Sequence, residues 1–221
     1  MKKVLIVSAT DFEIEFLQKK FIKTEFKNIE VHFLVTNPGL LPTTFALSQT
    51  LVKKTYDLVL NVGVAGTFNP KLKIGETVLI ESEVFGDFGA DDNGKFLDIF
   101  QLGLLNPNSF PFTNAALIPA AFNLDFYCPM FKSVKGLSVN KASGNETQIN
   151  ELIQLYNPEA ESMEGAAVFY VCLQLNQKVM QVRTISNKVE NRDKSKWNLP
   201  LAIKNLNTSV LELLNYLDEK L

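Results

Sequence analysis

The stretch Glu161-Ser162-Met163-Glu164-Gly165-Ala166-Ala167-Val168 decides how this chain is read. A short apolar run precedes it and the helical run Ala166 to Leu175 follows, so it forms a strand-to-helix turn, the place where α/β proteins put their chemistry. Glu164 stands at the mouth of that helix, where the dipole favours a carboxylate. The first helical turn, Gly165-Ala166-Ala167, is too small to crowd a ligand. The same residues fit an acidic N-terminal cap, and the pattern alone does not choose between the two roles.

Outward from this turn, strand-length apolar runs alternate with helical ones. Val4 to Ala9 is continuously apolar or small, as expected of a central strand covered on both faces in a parallel sheet. Thr10-Asp11-Phe12-Glu13 opens a helix with Phe12, Phe16 and the Leu17/Phe21 pair at helical spacing, and Thr10 with Glu13 fits a capping box. Ile29 to Thr36 reads as a strand ended by Asn37-Pro38-Gly39, with the only histidine, His32, exposed beside Glu30. Pro42 to Lys54 reads as a helix, with proline near its first turn and Lys53-Lys54 at its end. Asp57 to Val62 is a third buried strand. Gly63-Val64-Ala65-Gly66-Thr67 is expected as a turn at its carboxyl end, glycine being the usual residue where φ must be positive.

Thr77 to Ser82 is a further strand. From Val84 to Phe112 periodicity is lost, and a connection this long inside a compact domain is functional or disordered. Phe85, Phe88, Phe96 and Phe100 argue against disorder. Lys132 to Lys141 reads as a strand, and Ser143-Gly144-Asn145-Glu146-Thr147 opens a helix to about Tyr156, with Ser143 or Asn145 as its cap. Lys178 to Ser186 alternates as the last strand, Asn187 to Asp193 is a charged, solvated connection, and Leu199 to Leu217 is the final helix.

At 221 residues and 46% hydrophobic content the chain can bury one sizeable core. A net charge of −2 with interspersed signs offers no basic surplus for nucleic acid, so the ligand is expected to be small. Cys128 and Cys172 have no paired spacing, which argues against a disulfide framework or zinc site and for two core thiols. The apolar run after Lys2-Lys3 is too short for a signal peptide and no run reaches membrane-spanning length, so the expected location is the cytoplasm, with no membrane partner.

Several stretches together resemble signatures of the nucleoside phosphorylase and nucleosidase superfamily. Met163-Glu164-Gly165-Ala166-Ala167 looks like its Met-Glu-Gly-Ala-Ala motif, whose glutamate holds the ribose hydroxyls while the methionine packs under the sugar. Gly63-x-Ala65-Gly66, with Ile74-Gly75-Glu76 after it, resembles a second signature that lines the base and sugar pocket. Related nucleosidases carry a glutamate after the first strand that activates the attacking water; Glu13 stands at that place. Arg183-x-Ile185-Ser186-Asn187 is similar to the superfamily's Arg-x-Ile-Ser-Asp, with Asn in place of the Asp that activates the purine. The turn at Thr147 lies over the purine in relatives, often with an aromatic there, and a threonine cannot stack. The block Gly89-Ala90-Asp91-Asp92, with Phe96-Leu97 and Leu102-Gly103-Leu104, looks like that of the futalosine hydrolases.

The resemblance implies an α/β fold, a three-layer α/β/α sandwich around a mixed, largely parallel central sheet, as a single domain over residues 1–221. It implies hydrolysis of the N-ribosidic bond of futalosine, giving hypoxanthine and dehypoxanthine futalosine on the route to menaquinone. Glu13, Asn187 and Glu164 would be catalytic, with Met163, Gly66, Ala65, Thr147 and Ser186 binding substrate. No metal or organic cofactor is implied. Relatives complete the pocket with a neighbouring subunit, which implies a homodimer or higher homo-oligomer.

Breaking a ribose–purine bond develops positive charge on the sugar and negative charge on the leaving base. A carboxylate suits the water-activating role. A 6-oxopurine offers two adjacent acceptors, N7 and O6, which an amide NH2 can meet, whereas adenine offers an acceptor beside a donor. Asn187 therefore points to hypoxanthine or guanine. Phosphorylases of the superfamily need arginines for a dianion, one shortly after the first strand, and here no arginine precedes Arg183, so water is the expected nucleophile. The rivals are a 5'-methylthioadenosine/S-adenosylhomocysteine nucleosidase, a purine nucleoside phosphorylase and a non-catalytic nucleoside-binding protein.

Overall fold

Val4, Leu5, Ile6 and Val7 are all buried in β1 (Lys2–Ser8), which pairs in parallel with β2 (Ile29–Val35) on one side and β3 (Leu58–Thr67) on the other. Successive strand residues face opposite sides. Val4 and Ile6 pack with Ile14 and Leu17 of α1 (Asp11–Phe21) and with Leu206, Val210 and Leu213 of the last helix. Leu5 and Val7 pack with Leu47 of α2 (Leu40–Lys53) and with Val168, Phe169 and Cys172 of a buried helix. The computed structural model describes residues 1–21, 26–119 and 130–220. Cys172 is a buried free thiol, as expected, and the expectation for Cys128 lies outside the described residues.

The remaining elements are β4 (Thr77–Phe85), β5 (Gly89–Asp92), β6 (Lys95–Asp98), β7 (Phe112–Thr113), β8 (Ala116–Leu117), β9 (Lys132–Ser138), α3 (Glu146–Tyr156), β10 (Ala160–Ser162), α4 (Gly165–Gln174), β11 (Val179–Lys188), a 3-10 turn (Lys194–Lys196) and α5 (Leu199–Lys220). Their local causes are legible. Asn145 caps α3 by accepting from the Gln148 amide at 2.9 Å, and Asn157 ends it in the left-handed region at φ 44°. α4 is buried nearly all round, and α5 buries Ala202, Leu206, Val210, Leu213, Leu214 and Leu217 along one stripe.

The sheet is mixed. β11 runs parallel to β3 and antiparallel to β4, β4 runs parallel to β9, β9 parallel to β10, and β10 antiparallel to β3. These pairings close a ring of five strands in the order β3, β11, β4, β9 and β10. They also correct the expectation of a turn at Gly63 to Thr67, since β3 runs through all five residues, with β11 along one edge and β10 meeting Gly66 and Thr67 on the other. Neither Gly63 nor Gly66 has positive φ. Glycine is required there by crowding: a Cβ on Gly63 would overlap Arg183 Nη1 and come within 2.9 Å of Glu13 Oε1, and one on Gly66 would stand 2.9 Å from Val189.

Two details go beyond what spacing alone specifies. Phe12 and Phe16 lie on the outside of α1, 65% and 56% exposed, while Ile14 and Leu17 face the core. The aperiodic region after β4 contains the β5–β6 hairpin, turned at Asn93-Gly94 with φ of 55° and 86°, the conformation a two-residue hairpin turn demands. Phe85, Phe100, Phe112 and Tyr170 pack edge to face beneath it, Phe100 and Phe112 at 5.1 Å between ring centres.

Candidate active site

A cleft of about 290 Å³ opens where β1, β3, β9, β10 and β11 end, the position ligands take in α/β sheets. Its walls include Glu13, Ala65, Gly66, Met163, Glu164, Ser186 and Asn187, so the structure brings together all but one of the residues singled out from sequence. The exception is Thr147. It sits exposed in the first turn of α3, because Asn145 caps that helix and the preceding residues Ala142 and Ser143 form the cleft wall.

Glu13 is held at both oxygens. Its Oε2 accepts from Ser8 Oγ at 3.0 Å, the Thr10 amide at 3.1 Å and Thr10 Oγ1 at 3.0 Å. Its Oε1 accepts from the Val64 amide at 3.1 Å, where β3 passes the head of α1. Half of the capping box exists, the carboxylate reaching back to the Thr10 amide while the Thr10 hydroxyl donates to it and the Glu13 amide bonds the Thr10 carbonyl, and it aims the carboxylate: Oε1 keeps acceptor capacity at the cleft wall.

Glu164 is the N-cap residue of α4, yet its side chain makes no capping bond. Its Oε1 accepts from the Gly39 amide at 3.1 Å, and its Oε2 faces Arg183 Nη1 at 3.5 Å. Gly39 adopts φ 103° in the break after β2, a conformation only glycine takes without strain. From sequence Arg183 stands out only as part of the Arg-x-Ile-Ser-Asn stretch. It lies behind the cleft wall, 1% exposed, with Nε and Nη2 unpartnered among the described residues. The available signal is an arginine in the middle of a strand flanked by Val182 and Ile185, which must be paired when buried.

Asn187 follows an irregularity in the β11 register between Ile185 and Asn187, which turns its amide toward the cleft. Ser186 Oγ donates to Asn187 Oδ1 at 2.7 Å, and Asn187 Nδ2 donates to the Lys188 carbonyl at 2.9 Å. One N–H remains for a ligand, where sequence reasoning expected two. A third acid, Glu161, also lines the cleft. It accepts from the Ser143 amide at 3.1 Å and from the Ser143 hydroxyl, pinning the Ala142-Ser143 turn, and burial pushes its carboxyl up. Among the described residues no group of three or more His, Cys, Asp or Glu side chains is placed to hold a metal ion.

Two carboxylates and an amide facing one cleft at the strand ends define an α/β protein built around a small polar ligand. The family model described as "Phosphorylase superfamily" matches residues 3–215, and the chain belongs to that superfamily. It is 27% identical over 217 residues to a futalosine hydrolase of Thermus thermophilus, covering 95% of this chain and 94% of that one. Among solved structures, a 5'-methylthioadenosine/S-adenosylhomocysteine nucleosidase from Neisseria meningitidis superposes with a TM-score of 0.80 at 17% identity, covering 97% of this chain and 99% of that one. A futalosine hydrolase of Helicobacter pylori gives 0.78 at 18% identity, covering 99% and 98%. At these identities the structural likeness speaks for the fold alone.

Proposed function

We propose that the chain is a futalosine hydrolase, a single nucleoside phosphorylase-like domain over residues 1–221 with helices layered on both faces of its sheet. The observation that carries the reading is the placement of Glu13, Glu164 and Asn187 on one cleft, in a chain alignable over nearly its full length with a futalosine hydrolase. The overall reaction is futalosine plus water giving hypoxanthine and dehypoxanthine futalosine. The C1′–N9 bond breaks with its electron pair passing to the purine, water adds at C1′, and one water proton ends on the base.

Each residue has a task in that scheme. Glu164 accepts hydrogen bonds from the ribose hydroxyls over Met163. Glu13 receives the water proton through the acceptor capacity left at Oε1. Arg183, charged and close behind, offsets the two carboxylates. The free N–H of Asn187 donates to the purine at N7 or O6 as negative charge develops there. The residues that follow β1 on the cleft wall, Ala9, Thr10, Phe12 and Glu13, include no arginine or lysine, which favours water over phosphate.

The outer wall supplies a partner for the benzoate-bearing tail. Arg192 lies 5.5 Å over the Trp197 ring, both line the cleft, and the acids of the same loop are engaged elsewhere, Glu190 with Lys196 at 2.9 Å and Asp193 with Ser195. An aromatic face beside a guanidinium suits an aryl carboxylate. A homodimer or larger assembly is supported by large apolar side chains left on the outside of α1 and α2, Phe16, Leu41 and Phe45 among them. No described helix is long and apolar enough to cross a membrane.

The likeness to a methylthioadenosine nucleosidase keeps that activity as the second reading. Incubating the protein with futalosine, inosine and methylthioadenosine, with and without phosphate, and identifying the free base decides the matter. Phosphate-independent hypoxanthine release from futalosine is expected, and adenine release alone would transfer the assignment to the rival.

A further inference from the structure

Glu83 in β4 has no place in the chemistry above, yet it is 1% exposed and fully hydrogen-bonded. Its Oε1 accepts from Gln181 Nε2 at 2.6 Å, and Gln181 Oε1 in turn accepts from Asn61 Nδ2 at 2.9 Å. Its Oε2 accepts from Ser138 Oγ at 2.9 Å. Ser138 Oγ also accepts from the Ala166 amide at 2.8 Å and lies 3.2 Å from Ser162 Oγ, which accepts from the Gly165 amide at 3.2 Å. When Glu83 is ionised it only accepts, so the Ser138 proton points at it; when it is protonated it donates to Ser138 instead, and in both states Ser138 keeps a lone pair for the Ala166 amide.

These bonds satisfy the first amides of α4, the groups a helix leaves orphaned and an N-cap side chain normally takes. The N-cap residue here is Glu164, and its carboxylate is turned away to Gly39 and Arg183. Room for the arrangement is built in. A Cβ on Gly165 would overlap Glu83 Oε1, and one on Gly136 would come within 2.6 Å of it. The glycine after Glu164 thus serves the buried acid as well as the ligand.

We propose that Glu83 is a positioning residue for Glu164: acting through Ser138, it takes over the capping of α4, so that the N-cap carboxylate is free to face the cleft. Burial first of all pushes Glu83 up to about 7, Gln181, Arg183 and Ser138 hold it down, and Glu164 raises it. Arg183 on β11 and Glu164 at the head of α4 are the charged groups acting on it. The inference rests on the sugar-gripping role given to Glu164.

The test uses Glu83→Ala, Ser138→Ala and the conservative Glu83→Gln in the full chain. Gln can accept from Gln181 with its oxygen and donate to Ser138 with its amide, leaving Ser138 able to accept from Ala166. Both alanine variants are expected to lower kcat/KM for futalosine by roughly tenfold or more and to shrink the preference for futalosine over its 2′-deoxy analogue, while Glu83→Gln retains both within about threefold. If an alanine variant does not fold, Glu83→Asp, which withdraws the carboxylate from Ser138, replaces it.

Amide exchange at Gly165 and Ala166 reads the capping without any substrate, and is expected to rise about tenfold or more in the alanine variants. Unchanged exchange overturns the proposal, as does faster exchange with lower melting temperature and an unchanged ribo/2′-deoxy ratio. A wild type that cleaves futalosine without ribose preference, or does not cleave it, defeats the reading of Glu164 or of the function; altered exchange alone then leaves Glu83 a cap and no positioning residue, which also ends the proposal.

Discussion

Arg183 Nη1 stands 3.5 Å from Glu164 Oε2 behind the cleft wall, with Arg183 1% and Glu164 7% exposed. Neither group can be removed alone without leaving the other's charge buried. Breaking a buried pair by deleting one partner costs about 3–5 kcal/mol, most of it the penalty on the abandoned charge. At 3.5 Å the lower end is expected. Arg183→Met should lower the unfolding free energy in urea by about 3 kcal/mol and reduce kcat/KM for futalosine by roughly 10²-fold. The double variant Arg183→Met/Glu164→Gln should regain stability without regaining activity. Additive stability losses would mean the two groups do not interact.

Glu13 joins two roles that sequence spacing offered as alternatives. In Glu13→Gln the amide oxygen must keep the Ser8 and Thr10 side, where three donors converge, so the NH2 turns toward the Val64 amide and opposes another donor. The expected cost is about 1 kcal/mol of stability from that unmet amide and a fall in kcat of roughly 10²-fold from loss of the base. A variant that melts early and turns over normally would leave Glu13 a cap only.

The elements set by local pattern were legible in the sequence. β1 announces itself by an unbroken apolar run, α2 by Pro42 and its terminal lysines, and the Met163-Glu164-Gly165 turn by the switch from strand to helix. What was not legible depends on partners far along the chain. Gly63 to Thr67 reads as a turn until β10 and β11 occupy both its edges, and its glycines answer to the bulk of Arg183, Glu13 and Val189. Phe12 and Phe16 have helical spacing as good as that of Ile14 and Leu17, so only the packing of α5 against α1 tells which pair faces inward. Of the cleft, the carboxylates and Asn187 could be named beforehand; Arg183 and the Glu161–Ser143 anchor could not, since each is defined by a partner rather than by its neighbours in sequence.

Glu83 gives the stability a pH dependence of definite sign. Its carboxyl is raised from an ordinary 4.5 to about 7 in the folded protein, so between those values the folded state holds a proton the unfolded state has lost. Stability from this group is therefore greatest below pH about 4.5, declines as pH rises to about 7, and is level above that, a change on the order of 3 kcal/mol. The difference in unfolding free energy between wild type and Glu83→Gln, followed in urea from pH 5 to 8, should carry that slope. A pH-independent difference would show Glu83 to titrate normally.

Arg192 is expected to act on the tail and not on the nucleoside core. Arg192→Ala should raise KM for futalosine by about tenfold, the loss of roughly 1.4 kcal/mol of charge-assisted contact, and leave kcat nearly unchanged. Hydrolysis of inosine, which has the same base and sugar without the tail, should be unaffected. Equal losses on both substrates would place Arg192 at the base instead.

Base selectivity rests on how Asn187 is held. Ser186 Oγ donates to its Oδ1 at 2.7 Å and the Lys188 carbonyl takes one Nδ2 hydrogen at 2.9 Å, which leaves a single N–H for the purine. Meeting N7 and O6 together requires the amide to leave Lys188, so one strong donor contact is the starting arrangement. In Asn187→Asp the oxygen facing Ser186 is retained, while the other faces the Lys188 carbonyl and the purine acceptors without a hydrogen, unless it carries a proton. Such an acceptor-on-acceptor mismatch costs about 1–3 kcal/mol, or roughly 10–100-fold in kcat/KM. Asn187→Asp is therefore expected to lose futalosine hydrolysis by that factor, to recover part of it as pH falls and the aspartate protonates, and to gain weak adenine release from methylthioadenosine. Measuring kcat/KM for both nucleosides from pH 5 to 8 checks all three, and a variant as active as wild type on futalosine at pH 8 would show that Asn187 does not donate to the leaving base.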